Sequence, residues 1–221
     1  WTNGASKRFV EETDINYSIY NVAPYVIQHS EINYNSQYYG GLANFSSFSS
    51  FFVEGEGWGS PNYNGASGYS QNVPLATPSL YTSGGAPDVQ FHAKTVANSN
   101  ASIPSGGSGN HHLRWQVGGT VLYDEVFTGY GQKIVDETFS PALLASGTTN
   151  AAFEIIGDLG VATDYQSIQY VSLTYPRTTN LNNESNADFS IINNSSQAKI
   201  RLDLTNTNLS NPSAYVFQGN V

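Results

Sequence analysis

Residues 88–97 place Val89, Phe91, Ala93 and Thr95 on one side of a strict alternation, and Gln90, His92 and Lys94 on the other. A period of two is the mark of a half-buried β-strand, because successive side chains of an extended chain point to opposite faces. His111–Val117 repeats the pattern with Leu113, Trp115 and Val117. Gly118-Gly119 follows, then a second extended run, Thr120–Phe127, and a Gly-Gly step between two such runs predicts a β-hairpin. Gln132–Phe139, Ala151–Ile156 and Ser167–Tyr175 read as further strands, the last with Ile168, Tyr170, Leu173 and Tyr175 as its strand residues and one shift of phase. Pro176 is expected to stop that ladder, since proline has no N–H to donate. Ser50–Glu54 reads as a short strand before a glycine-rich turn, Gly55–Pro61. Glycine, proline, asparagine and β-branched residues interrupt every helical window. Short strands separated by turn signals predict an all-β, jelly-roll-like antiparallel β-sandwich with a small strand-rich C-terminal tail.

At 221 residues the chain is long enough to bury one sizeable core. Three stretches are expected: a tyrosine-rich N-terminal segment (1–49), the sandwich (50–177), and a linker with a strand-rich tail (178–221). Thr178–Asn186 is the best linker, and Phe189–Ile192, Lys199–Leu204 and Ala214–Phe217 are the candidate tail strands. So short a tail cannot bury a good core by itself, so it is expected to augment the sandwich or pack on a neighbouring domain. The chain starts at Trp1 and contains no methionine, the pattern expected of an internal fragment or a processed product.

Eight basic residues stand against 17 acidic ones, a net charge of −9, and no lysine/arginine cluster occurs. That argues against nucleic acid and against anionic membrane surfaces as partners. No apolar run approaches the ~20 residues of a membrane span. The absence of cysteine excludes disulfides, thiolate metal sites and a cysteine nucleophile. Charged residues make up 11%, against about 25% in an ordinary soluble domain. Asn, Ser, Gly, Thr and Tyr fill the deficit, a composition frequent in exported bacterial surface proteins.

Chemistry-bearing residues are few. Glu54 and Glu56 lie two apart and would share one face of a strand, able to chelate a hard cation such as Ca²⁺ or simply to face solvent. Serving as an acid/base pair is the third alternative. Asp164 is the expected third Ca²⁺ ligand. Trp58 and Tyr63 are candidate ligand-binding aromatics, because exposed rings stack on sugars or on protein partners. Tyr17, Tyr20, Tyr25, Tyr34, Tyr38 and Tyr39 crowd the N-terminal stretch. Adjacent His111 and His112 would point to opposite faces, so one metal cannot easily take both, and an exposed pair at a loop end is expected. His29 and His92 read as structural. No Gly-x-Ser-x-Gly elbow or phosphate-binding loop is present, and nothing sets a nucleophile beside a base, so no catalytic residue is assigned.

Three segments together carry a family resemblance: Asn16–Tyr39, Phe52–Pro61 with its Gly-Glu-Gly-Trp turn, and Gln166–Arg177, a closing strand ending in Tyr-Pro-Arg. Over residues 16–217 the chain resembles the non-catalytic N-terminal β-sandwich region of gingipain-like cysteine peptidases, a family that includes the type IX secretion sortase of Bacteroidetes. The resemblance implies an accessory domain, located outside the cell or on the outer-membrane surface. Its partners would be the adjacent peptidase domain of the same parent chain and a protein substrate. That family's catalytic Cys and His belong to an α/β domain that has no counterpart in this sequence. A second resemblance, to carbohydrate-binding jelly rolls with a structural Ca²⁺, implies a glycan-binding module of a secreted protein, with Glu54, Glu56 and Asp164 in the places of its ligands.

Overall fold

The computed structural model describes residues 16–41, 51, 53–192 and 199–208. The expected strand at Ala214–Phe217 lies outside them. The strands are β1 (Val26–Asn33), β2 (Gln37–Gly40), β3 (Glu56–Gly59), β4 (Tyr63–Asn64), β5 (Tyr69–Thr77), β6 (Val89–Ala97), β7 (His111–Val117), β8 (Thr120–Phe127), β9 (Gly131–Phe139), β10 (Gly147–Ile155) and β11 (Tyr165–Arg177). One sheet has the order β1-β11-β6-β9, with β4 also pairing β11, and the other the order β5-β10-β7-β8. Every strand pairing in them is antiparallel, and β2 and β3 form a separate two-stranded ribbon. The protein is thus an all-β, antiparallel sandwich.

The core is made by the alternation read above. Val89, Phe91 and Ala93 of β6 face Leu113, Trp115 and Val117 of β7, with Ala151, Phe153 and Ile155 of β10 and Leu173 and Tyr175 of β11 completing the cluster. Trp115 is wholly buried and packs edge-on against Phe91 of the opposite sheet, ring centroids 5.6 Å apart, and against Phe153 of the neighbouring strand at 5.2 Å. The predicted hairpin joins β7 to β8. Both of its turn residues have positive φ, 57° at Gly118 and 78° at Gly119, which glycine adopts without a Cβ penalty.

The shift of phase in β11 is a β-bulge. Ile168 pairs with Thr95 and Tyr170 with Lys94, leaving Gln169 without an opposite residue on β6. The extra residue moves the buried set from Gln166 and Ile168 to Val171, Leu173 and Tyr175, so both halves of the strand face the core.

Two expectations are corrected. Pro176 does not end β11, which runs on to Arg177. Its partner Ile27 exchanges both of its backbone hydrogen bonds with Ser190 instead, each 2.8 Å. The β6 pairing has already finished at Thr174, and the Pro176 carbonyl accepts from the Tyr81 N–H at 3.0 Å, so no N–H is required of the proline. Residues 50 and 52 of the expected strand Ser50–Glu54 lie outside the described residues, but Glu54 is in a turn, and the strand falls on Glu56–Gly59, inside the supposed turn. The reason is tertiary: this segment pairs with Gln37–Gly40, which shows no alternation of its own.

The tail touches the sandwich at its β1 side. Ser190 bridges Ile27, and Arg201 bridges Val22 in parallel. Within 178–186, Leu181 is buried and Glu184 pairs with the buried Arg177 at 3.0 Å.

Candidate functional site

The β2–β3 ribbon displays two large aromatic side chains. Register sets Tyr38 opposite Trp58, and the two remain 44% and 57% exposed. Their rings meet edge to face, centroids 5.7 Å apart and planes at 72°. Glu56 closes the group: one carboxylate oxygen accepts from the Tyr38 hydroxyl and the other from the Val53 N–H at 3.2 Å. These two bonds hold the Glu56 carboxyl below its ordinary pKa despite a small opposing desolvation, and the same hydroxyl bond holds Tyr38 above its own.

The ribbon is held from behind by the bulge. The Gln169 side-chain amide donates to the Gly55 carbonyl at 3.0 Å, and the Gly55 N–H donates to Gln132 on β9 at 3.1 Å. The turn therefore lies across the outer face of the first sheet, from β11 to β9. Gly57, in β3, has φ 144°, a conformation that L side chains rarely adopt, and a Cβ there would come within 3.3 Å of the Gln169 amide nitrogen. Below, the Tyr39 hydroxyl donates to the Ser60 carbonyl at 2.7 Å, and its burial pushes that phenol up to about 12. These bonds fix the backbone that displays the Trp58/Tyr38 pair.

The other residues singled out fall elsewhere. Tyr63 is in β4, stacked on Tyr69 at 4.5 Å and leaning on Phe153, so it covers the core and shares no surface pair with Trp58. Glu54, Glu56 and Asp164 do not form the expected Ca²⁺ cluster. Glu54 lies in the turn where its charge acts on Lys94, Glu56 is bonded to Tyr38, and Asp164 is 1% exposed beneath β7. Among the described residues no group of three His, Cys, Asp or Glu side chains is placed to hold an ion.

His111 and His112 do point to opposite faces, but they are not an exposed loop end; both are buried in β7. His111 turns inward, stacked on Phe127 at 5.0 Å. Its Nε2–H donates to the Ser99 carbonyl at 2.9 Å and its Nδ1 lies 2.6 Å from Asp164. Asp164 also accepts from the Gln166 amide at 3.0 Å and the His112 N–H at 3.2 Å. No lone pair of the imidazole is left for a metal or a substrate.

His112 turns outward between two carboxylates, Nδ1 to Asp158 at 2.8 Å and Nε2 to Asp124 at 2.7 Å, with Arg114 on the far side of Asp124. Burial by itself pulls the His112 pKa down, but the bonds to Asp158 and Asp124 outweigh it and the value stands above that of an ordinary histidine. Asp124 is held below the ordinary carboxylate value, first by His112 and then by Arg114 against the effect of burial. A folded-state pKa above the unfolded one stabilises fully below the unfolded value, ~6.5, and that contribution is lost as pH rises through the folded value. A depressed carboxylate acts in the opposite sense, its contribution disappearing as pH falls below ~3.8. Urea unfolding between pH 5 and 9 is therefore expected to show stability falling on the alkaline side of this window. His112→Gln should flatten that slope; an unchanged slope in the variant would assign the effect to other groups.

Asp158, Asp124 and Asp164 were not readable as partners of the histidines, since they lie 46, 12 and 53 residues away from them. The double histidine before a strand was the one available signal, and its chemistry here is structural.

No protein-family model matches the chain, and no curated protein matches it. Among solved structures it is similar to dimeric latent PorU from Porphyromonas gingivalis, with a TM-score of 0.45 and 6% sequence identity. The match covers 72% of this chain and 13% of that one, so this chain spans about an eighth of that protein's length.

Proposed function

We propose that this chain is a non-catalytic interaction domain of a secreted gingipain-like cysteine peptidase related to the type IX secretion sortase. The observation that carries the binding role is the Tyr38–Trp58 pair, displayed on a ribbon whose backbone is tied to β11 and β9. The family rests on the resemblance of the Gly-Glu-Gly-Trp segment and of the Tyr-Pro-Arg strand. These two motifs lie close together in space, since Gly55 hangs on the bulge residue of that strand. Tryptophan and tyrosine are the side chains that most often dominate protein–protein binding energy. Their 72° angle presents an edge and a corner, which suits an irregular protein surface better than the flat face of a sugar ring. The partner is the adjacent peptidase domain or the protein it acts on, outside the cell or at the outer-membrane surface.

Calorimetric titration of the chain against a separately produced peptidase domain tests this reading. Trp58→Ala should weaken binding at least tenfold, a typical loss for a central aromatic contact. Because Trp58 is mostly exposed, the same change should shift unfolding stability by no more than about 0.5 kcal/mol. Equal affinity of wild type and variant would remove the ledge from the interface.

A further inference from the structure

A second surface lies on the outer face of the other sheet. The order β5-β10-β7 sets Ala152 between Asn72 on one side and Gln116 on the other. A methyl group flanked by two amides leaves a dip, and Asn150, Glu154 and Leu143 wall it into a trough of about 360 Å³. Gln116 donates to Glu154 at 2.7 Å, which fixes that wall. Asn72 and Asn150 make no side-chain hydrogen bond within the described residues, so each offers an uncommitted donor and acceptor. Three strands measure about 10 Å across, and the volume falls within the ~300–1,000 Å³ of small-molecule sites.

We infer that this trough binds a neutral oligosaccharide. The chemistry of the lining selects that class. Primary amides pair with vicinal hydroxyls through donor and acceptor together, and Glu154 can accept from a hydroxyl. No lysine or arginine lines the trough itself, and Arg114, next to it, is paired with Glu154 at 3.8 Å and with Asp124 at 2.7 Å. Ala152 and Leu143 give the C–H face of a sugar ring an apolar contact. The site is separate from the Tyr38–Trp58 ledge, which belongs to the turn crossing the first sheet.

Affinity electrophoresis in gels containing hydroxyethylcellulose, galactomannan or laminarin, with alginate and polygalacturonate as anionic controls, tests the inference. Retardation is expected in at least one neutral gel and in neither anionic gel. Asn72→Ala with Asn150→Ala should lower that affinity at least tenfold, and Ala152→Leu, which fills the dip, should abolish it. Circular dichroism melting accompanies each variant, and both alter exposed or half-exposed residues. Trp58→Ala should leave the retardation unchanged, which separates this site from the protein-binding ledge. Free migration in all three neutral gels, equal retardation in the anionic gels, or retardation insensitive to the trough variants would overturn it.

Discussion

Asp164→Ala is expected to destabilise the fold by about 3–5 kcal/mol, because it leaves several buried donors without their acceptor at roughly 1–3 kcal/mol each. The carboxylate is 1% exposed and serves three donors at once: His111 at 2.6 Å, Gln166 at 3.0 Å and the backbone N–H of His112 at 3.2 Å. Alanine removes the acceptor that all three share, and a buried donor without an acceptor costs its full desolvation. At roughly 2–4 °C per kcal/mol for a chain of this size, the melting temperature should fall by about 10 °C. Asp164→Asn keeps the volume and one acceptor and should cost clearly less. Urea unfolding followed by circular dichroism measures both. A loss under ~1 kcal/mol for the alanine variant would mean that water reaches the cluster.

Trp115→Ala should cost a comparable ~3–5 kcal/mol, the range for deleting a large aromatic from a core. This indole is the contact that spans the two layers, meeting Phe91 of the first sheet and Phe153 of its own. Trp115→Phe retains most of the contact and removes an indole N–H that has no hydrogen-bond partner among the described residues, so it should cost well under half as much. Equal effects of alanine and phenylalanine would show that the site is held by the indole's shape in particular, and not by aromatic volume.

Much of the sandwich could be read from residue order alone. The alternation in Val89–Ala97 and His111–Val117, the Gly118-Gly119 hairpin and the phase shift in Ser167–Tyr175 all report local backbone geometry, and all are present. What escaped depends on distant partners. Glu56–Gly59 is extended because Gln37–Gly40 lies beside it, and Pro176 is tolerated because Ser190 takes the bonds of Ile27. The same division applies to function. Trp58 could be picked from its glycine-rich surroundings, but Tyr38 was one tyrosine among many until the register placed it opposite. Tyr63 had the same composition around it and packs inward. The trough was invisible, since Asn72, Ala152 and Gln116 become neighbours only through the order of three strands.

The joining of residues near the two ends has a mechanical consequence. Val22 lies against Arg201, and Ile27 against Ser190, beside the end of the β1–β11 pair where Val26 meets Arg177. Tension drawn through residues 22 and 201 would load these bridges one after another, then peel β1 from β11 starting at Val26, as a zipper opens. Ladders opened from one end yield singly and at low force, whereas the pairings of β6, β7 and β10 lie beyond the first points of load. A molecule stretched between two neighbours would thus give way at its margin first, releasing slack while the layer-to-layer packing around Trp115 stayed intact.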